Sequence, residues 1–341
     1  MKSTKIIVLL FLICLPYSSY SQIDEIFKPS GRIIARSFFD FSQGFGEANN
    51  ETGFDITRAF IGYNYKISKT LQAQVILDGA SGHTASGNLQ PYLRNAFINW
   101  TDKGFNVSVG EIGLMQFSIQ EKYWMHRHVL RSFQDHYKMG HSVDVGISGE
   151  YTINRYLAVD MSIANGEGYK NITQNKSTRY TAGVSFYPTR NWILRVYGDI
   201  YNDGEDMRPT LPEGITEQAY DDQKALSLFT GYQNELISAG IEYNRVYNKD
   251  FLKKKDFFGY STYASVKIAP KCRAFARYDL IDSESSASNK ASWNSSDGQL
   301  LIAGIEFQPV KQLKIAPNIR NMNPVRKKSE QYFFINFEFN L

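Results

Sequence analysis

QYFFINFEFNL, residues 331–341, decides how the rest of this chain is read. Phe333, Ile335, Phe337, Phe339 and Leu341 fall on one side of an extended strand, and Tyr332, Phe334, Asn336, Glu338 and Asn340 on the other, mostly polar, side. Alternation with period two builds a strand with one apolar and one wet face. Such a strand at the chain's end, behind an N-terminal export signal, is expected of the closing strand of an outer-membrane β-barrel. The competing reading is an edge strand of a soluble β-sandwich.

The export signal is explicit. Lys2 and Lys5 form a positive region, Ile6 to Leu15 an apolar one, and Ser19-Tyr20-Ser21 places small residues at the cleavage position, so a cut is expected before Gln22. The apolar run is too short to span a bilayer, which takes about 20 residues. Removing residues 1–21 from 341 leaves 320, and the loss of Lys2 and Lys5 takes the formal charge from +4 to +2. So mild a balance gives no reason to expect nucleic acid as a partner. Cys272 is then the only cysteine, which excludes an internal disulfide. The mean hydropathy of −0.36 resembles that of a soluble protein, yet in a barrel only every second strand residue meets lipid. An aromatic content of 14% favours a barrel with interfacial girdles.

Sixteen candidate strands lie near residues 32–41, 54–67, 70–78, 91–101, 105–112, 142–150, 156–164, 178–187, 192–200, 223–232, 235–246, 256–268, 272–281, 298–308, 312–320 and 331–341. Their connections alternate between short turns (SK, TDKG, PTRN, APK, PVKQ) and long segments at 42–53, 79–90, 113–141, 165–177, 201–222, 282–297 and 321–330. An even strand number puts the short turns at the periplasmic end and the long loops outside. Tyr65, Trp100, Phe105, Tyr156, Tyr187 and Trp192 cluster beside the short turns, where an aromatic belt is expected. Two places break the pattern: Pro317 falls inside a strand, where it lacks a ladder donor, and FDITRAFIGY carries apolar residues on both faces. Lipid offers no hydrogen bonds, so a chain that crosses it on strands must close on itself. The expected fold is therefore all-β, a transmembrane antiparallel barrel of about 16 strands formed by residues 22–341 as one domain in a bacterial outer membrane.

The longest connection, 113–141, contains SIQEKYWMHRHVLRSF, with Ile119, Tyr123, Leu130 and Phe133 at helical spacing. Folded into the lumen, it would bring Lys122, His126, Arg127, His128 and Arg131 towards a pore; otherwise it caps the mouth or packs on a neighbouring subunit. Inward positions elsewhere carry Arg94, Arg179, Arg195, Lys267, Arg273, Arg277, Lys314 and Arg320. Cations along a narrow wall concentrate anions, which makes a channel anion-selective. The alternative is ordinary lumen charge paired with Asp160, Asp199, Glu242, Asp279 and Glu306. The basic runs Lys253-Lys254-Lys255 and Arg326-Lys327-Lys328 fall on external loops.

GFDITRAFIGYNYKISKTLQAQVILDG (residues 53–79) and FNVSVGEIGLMQFSIQEKYWMHRH (residues 105–128) resemble the phosphate- and polyphosphate-selective outer-membrane porin family. Arg58 matches the second residue of that family's basic pair, with Thr57 in the first place. Val109-Gly110, Phe117 and Arg127 match its valine-glycine strand, loop phenylalanine and triplet arginine, while Gln116 and His126 replace a proline and an acid. The likeness covers about residues 30–165 and is architectural beyond. It implies a sixteen-stranded homotrimer in outer-membrane lipid that passes small anionic or polar solutes, phosphate among them, past a constricting third loop and lumen arginines that include Arg58.

Catalytic constellations are weak. There is no phosphate loop or dinucleotide fingerprint, and no cofactor is implied. His126, His128, His136 and His141 lack the nearby carboxylate or thiol spacing of a metal site, so no metal is expected. His141, Ser142 and Asp144 are triad residue types, but neighbours on one strand do not form a triad. A passive, non-enzymatic diffusion channel is the expectation. Its rivals are a docking barrel without an open pore, such as an adhesin or secretion component, and an outer-membrane hydrolase.

Overall fold

The computed structural model describes residues 27–48, 51–79, 91–170, 172, 177–205, 208–209, 220–284 and 293–341; the expected export signal and its cleavage position lie outside them. All sixteen expected strands are present. The first eight are β1 (Ser30–Gly46), β2 (Thr52–Lys66), β3 (Leu71–Asp78), β4 (Tyr92–Asp102), β5 (Phe105–Gly113), β6 (Val143–Asn154), β7 (Leu157–Ala164) and β8 (Arg179–Thr189). The rest are β9 (Trp192–Tyr201), β10 (Gln223–Gln233), β11 (Ile237–Tyr247), β12 (Asp256–Ala269), β13 (Cys272–Glu284), β14 (Gly298–Val310), β15 (Leu313–Pro324) and β16 (Glu330–Asn340). Two helices, α1 (Met115–Trp124) and α2 (Phe133–His136), lie between β5 and β6. Each strand pairs antiparallel with its sequence neighbours, and β1 also pairs with β16 from Arg36↔Asn340 to Gly46↔Glu330, closing the barrel.

Burial follows the alternation. In β8, Arg179, Thr181, Gly183 and Ser185 are buried in the interior while Tyr180, Ala182, Val184 and Phe186 face outward. In β7, Ala158, Asp160 and Ser162 point inward, opposite Leu157, Val159, Met161 and Ile163. At the closure Phe39 and Phe337 stack with their ring centroids 4.9 Å apart. The connections expected at 42–53 and 321–330 are shorter than that, because the ladders continue to Gln43↔Thr52 and Met322↔Glu330.

Each irregular stretch has a local cause. In β2 the register slips by one residue opposite Phe38/Phe39, with Thr57 as the extra residue. The outward set is therefore Phe54 and Ile56 before the bulge but Ile61, Tyr63 and Tyr65 after it, which is why both faces of FDITRAFIGY look apolar. A second slip, opposite Ile76/Leu77, makes Arg94 the extra residue of β4. Pro317 keeps its pairing with Ile335 in β16, while the β14 ladder is interrupted between Gly304↔Asn318 and Phe307↔Ile315, as a residue without an N–H requires. The short turn at Lys103-Gly104 has positive φ at both residues (46° and 87°), the primed hairpin geometry that matches strand twist. Gly110 in β5 has φ 121°, and a Cβ there would lie 2.2 Å from the Ala96 carbonyl oxygen, so only glycine fits after Val109.

Beside the short turns Tyr65, Phe105, Tyr156 and Trp192 are exposed, as expected of a belt. Trp100 is half-buried, and Tyr187 packs inward against the cluster around Tyr123.

Candidate functional site

The segment between β5 and β6 folds into the barrel interior. Helix α1 runs along β10 and β11, where Gln116 Nε2 donates to Ser227 Oγ (3.1 Å) and Gln120 Nε2 to Glu242 Oε2 (2.5 Å). It ends at Met125, whose φ of 63° turns the chain. The helical spacing expected through Phe133 therefore stops at Trp124, and Leu130 lies in a non-helical return. Three of the turn's carbonyls are held by wall side chains: Tyr123 O by Ser238 Oγ (2.7 Å), Val129 O by Arg320 (2.8 Å) and Arg131 O by Arg277 (2.6 Å). Buried backbone acceptors must be satisfied somewhere, and here strands from the far wall do it. Trp124, Tyr123 and Val129 pack with Ile193, Phe229, Tyr263, Phe275, Leu300 and Ile302, all inward residues of β9 to β14. Phe133 and Met139 pack similarly with Val246, Phe257 and Ile281.

This docking accounts for several of the cations read as pore-lining. Arg195 is 2% exposed and donates to Asp160 (2.6 Å), Ser185 (2.8 Å) and Gln116 of α1 (2.7 Å). Arg277, 1% exposed, is bound by Asp279 (2.7 Å) and lies under Trp124. Arg179 pairs with Asp199 at 3.2 Å. Lys314 sits 3.6 Å from Glu306 and 3.4 Å from Glu338. Of the carboxylates weighed as partners, Asp160, Asp199, Asp279 and Glu306 serve as such, while Glu242 is held by Gln120 and Asn244. Arg179, Arg195, Arg277 and Lys314 thus stand in the arrangement weighed as the alternative, each beside a wall carboxylate, and Arg195 and Arg277 also bond the inner segment. Lys267 is exposed at the turn end of β12, Arg273 donates to Ser265 and to the β10–β11 turn, and Lys122 and Arg131 are exposed on the inner segment. Arg58 is enclosed by Asp78 and by Tyr169 Oη (2.8 Å).

A cavity of about 390 Å³ remains between the inner segment and the β1–β6 wall. Arg36, Arg94 and Arg127 line it, with Glu121 as the one lining carboxylate, above an apolar floor of Ile34, Phe60, Ile76, Phe97 and Phe117. Arg94 lies over the Phe60 ring, 5.0 Å from its centroid, and forms no ion pair among the described residues. Arg127 crosses from the inner segment, paired with Glu121 and 3.4 Å from Asp135. Arg36 reaches Glu338 at 2.6 Å. Burial and the neighbouring Arg94, Arg58 and Arg36 charges lower Arg127 to about 9, despite Asp135. A guanidinium displaced in that direction gains from any anion brought beside it.

Solved structures share this architecture. The outer membrane channel DcaP of Acinetobacter baumannii aligns with a TM-score of 0.66 at 12% identity over 92% of this chain and 97% of its own. An anion-selective porin from Comamonas acidovorans gives 0.66 at 9% identity, over 92% and 100%. OmpF of Salmonella typhi, in complex with daunomycin, gives 0.70 at 11% identity, over 91% and 97%. The chain has the fold of an outer-membrane channel barrel. No protein-family model matches it, and no curated protein matches it by sequence.

Within that barrel the residues missed by sequence reading are Arg36 and Glu121 at the cavity and Gln116, Gln120 and Gln134 as anchors. Arg36 had a signal, since Ile34, Arg36, Phe38 and Asp40 share one face of β1. The glutamines had none, because Ser227, Glu242 and Asn244 lie more than a hundred residues away.

Proposed function

We propose that this protein is a passive, anion-preferring diffusion channel of a bacterial outer membrane, and that solutes pass between the inner segment and the β1–β6 wall. The observation that carries the reading is the lining of that cavity: three guanidinium groups against one carboxylate, with Arg94 outside any ion pair among the described residues. Such a wall lowers the energy of an anion throughout the passage, and two or three weak sites in series allow exit as well as entry. No covalent step is needed. The assembly proposed is a homotrimer in outer-membrane lipid, and phosphate is a candidate solute by resemblance. The apolar floor favours a second solute class, small organic anions with a hydrocarbon face, which would bury apolar area against Phe60 and Phe117 while a carboxylate meets Arg94.

Planar-bilayer recording tests this. Discrete ohmic steps are expected, with a reversal potential of the anion-preferring sign in a salt gradient. Block of chloride current by phosphate against block by benzoate separates the two solute classes. A folded barrel that gives no steps would favour the docking reading instead.

A further inference from the structure

We propose that His126, His128 and Glu306 form a binding site for one divalent transition-metal ion of the zinc class, joining the inner segment to the barrel wall. This goes beyond the channel reading and does not depend on it. The two histidines come from the return after α1, and the glutamate from β14, 180 residues along the chain. His126 Nδ1 lies 3.0 Å and His128 Nε2 3.5 Å from the same atom, Glu306 Oε2, and one ligand atom from each of the three residues fits within a 4.8 Å span. Two imidazoles and a carboxylate are a donor set that zinc uses with a fourth position left to water. Ligand atoms around tetrahedral zinc stand about 3.3–3.5 Å apart, given metal–nitrogen lengths of about 2.0–2.1 Å, so only the separation between the two rings has to contract.

The surroundings support a metal more than a plain ion pair. Each ring turns one nitrogen to Glu306 and the other to an outer partner: His126 Nε2 is 2.9 Å from Ser265 Oγ, and His128 Nδ1 is 3.3 Å from Glu338 Oε2. Outer partners of this kind orient metal-bound histidines. His128 is 3% exposed, and although its nitrogens face two carboxylates, neither makes a hydrogen bond among the described residues. If Nδ1 carries the proton towards Glu338, the Nε2 lone pair confronts the Glu306 carboxylate, and a cation between them resolves the repulsion. Lys314 is the competing cation, 3.6 Å from Glu306, but also 3.4 Å from Glu338. It can remain with Glu338 while the metal takes Glu306.

The test is metal binding by the full-length protein, purified in detergent without a histidine tag, stripped with chelator and titrated with Zn²⁺ against a chromophoric competitor. One ion per chain is expected. His128→Ala and Glu306→Gln should abolish that binding, Glu338→Gln should weaken it about 10- to 100-fold, and His136→Ala should leave it unchanged. Lys314→Met should tighten it, whereas a purely structural ion-pair network would gain nothing in metal affinity from that change. Because the buried variants could fail to fold, X-ray absorption on zinc-loaded wild-type protein gives a second readout, with two imidazole nitrogens and one carboxylate oxygen expected. No stoichiometric binding by the wild type, binding that survives loss of both His128 and Glu306, or a zinc shell without imidazole would each overturn the proposal.

Discussion

The two halves of the barrel wall share one strand pattern and differ in what they turn inward. From β9 to β14 the inward positions carry large apolar side chains such as Ile193, Phe229, Tyr263, Phe275 and Ile302, interleaved with polar groups that catch backbone carbonyls. That wall is a docking surface, and the inner segment buries Trp124 and Val129 on it. From β1 to β6 the inward positions mix arginines with apolar residues such as Ile34, Phe60 and Ile76, the inner segment does not fill the space above them, and a cavity survives between Arg94 and Arg127. A barrel of this size thus becomes narrow on one side because the other side is a protein core. The packed wall compensates its arginines with Asp160, Asp199 and Asp279, as buried charges require; on the open wall Arg36 and Arg58 also meet carboxylates, and Arg94 is the arginine left without such a partner among the described residues.

The contrast can be broken at its strongest point by Trp124→Ala. Emptying that site should cost about 3–5 kcal/mol of docking energy. Single-channel conductance should rise and current noise increase as the inner segment leaves β12 and β13; unchanged conductance would mean that the segment does not limit the passage. A smaller effect is expected from Gln120→Leu, which leaves the Glu242 carboxylate short of a donor at a cost of about 1–3 kcal/mol. Its readout is heat-modifiable gel mobility, with a lower unfolding temperature than wild type. On the open wall, Arg94→Glu should shift the reversal potential towards cations, whereas the same change at Lys267, at the exposed turn end, should shift it far less. Equal shifts would place the selective region elsewhere.

The weakest lever is pH. Burial and the positive field of Arg277 lower His136 of α2 to about 4. A histidine whose folded pKa is depressed takes up its proton more readily once released, so docking is fully stabilised above the ordinary histidine value of about 6.5 and loses stability as pH falls from there towards 4. Channel noise should therefore grow over that window in the wild type and grow less in His136→Gln; identical profiles would remove His136 from the loop's energetics.

What was legible in the sequence was whatever depends on period and spacing. Alternation placed all sixteen strands, because a strand between lipid and an interior must change face at every residue. The bulge at Thr57 was visible only as a loss of pattern, with both faces of FDITRAFIGY apolar: the extra residue shifts the phase by one, which alternation registers without locating. The site was less legible for a different reason. Alternation assigns Arg195 and Arg277 to the interior correctly, but cannot say whether an inward cation meets solute, a carboxylate or a folded loop. That depends on pairings such as Arg195–Asp160 and Arg277–Arg131, set by three-dimensional closure. The meeting of His126 and His128 with Glu306 belongs to the same class. The sequence shows two histidines without an acid at metal-ligand spacing, and the closed barrel supplies one from β14, 180 residues along the chain.

The most direct measurement is the reversal potential of the purified wild-type channel in a salt gradient, repeated with Arg94→Glu. A passage lined by Arg36, Arg94 and Arg127 should give an anion-preferring potential that moves clearly towards cations in the variant. Cation preference in the wild type, or a potential indifferent to Arg94, would contradict a route between the inner segment and the β1–β6 wall.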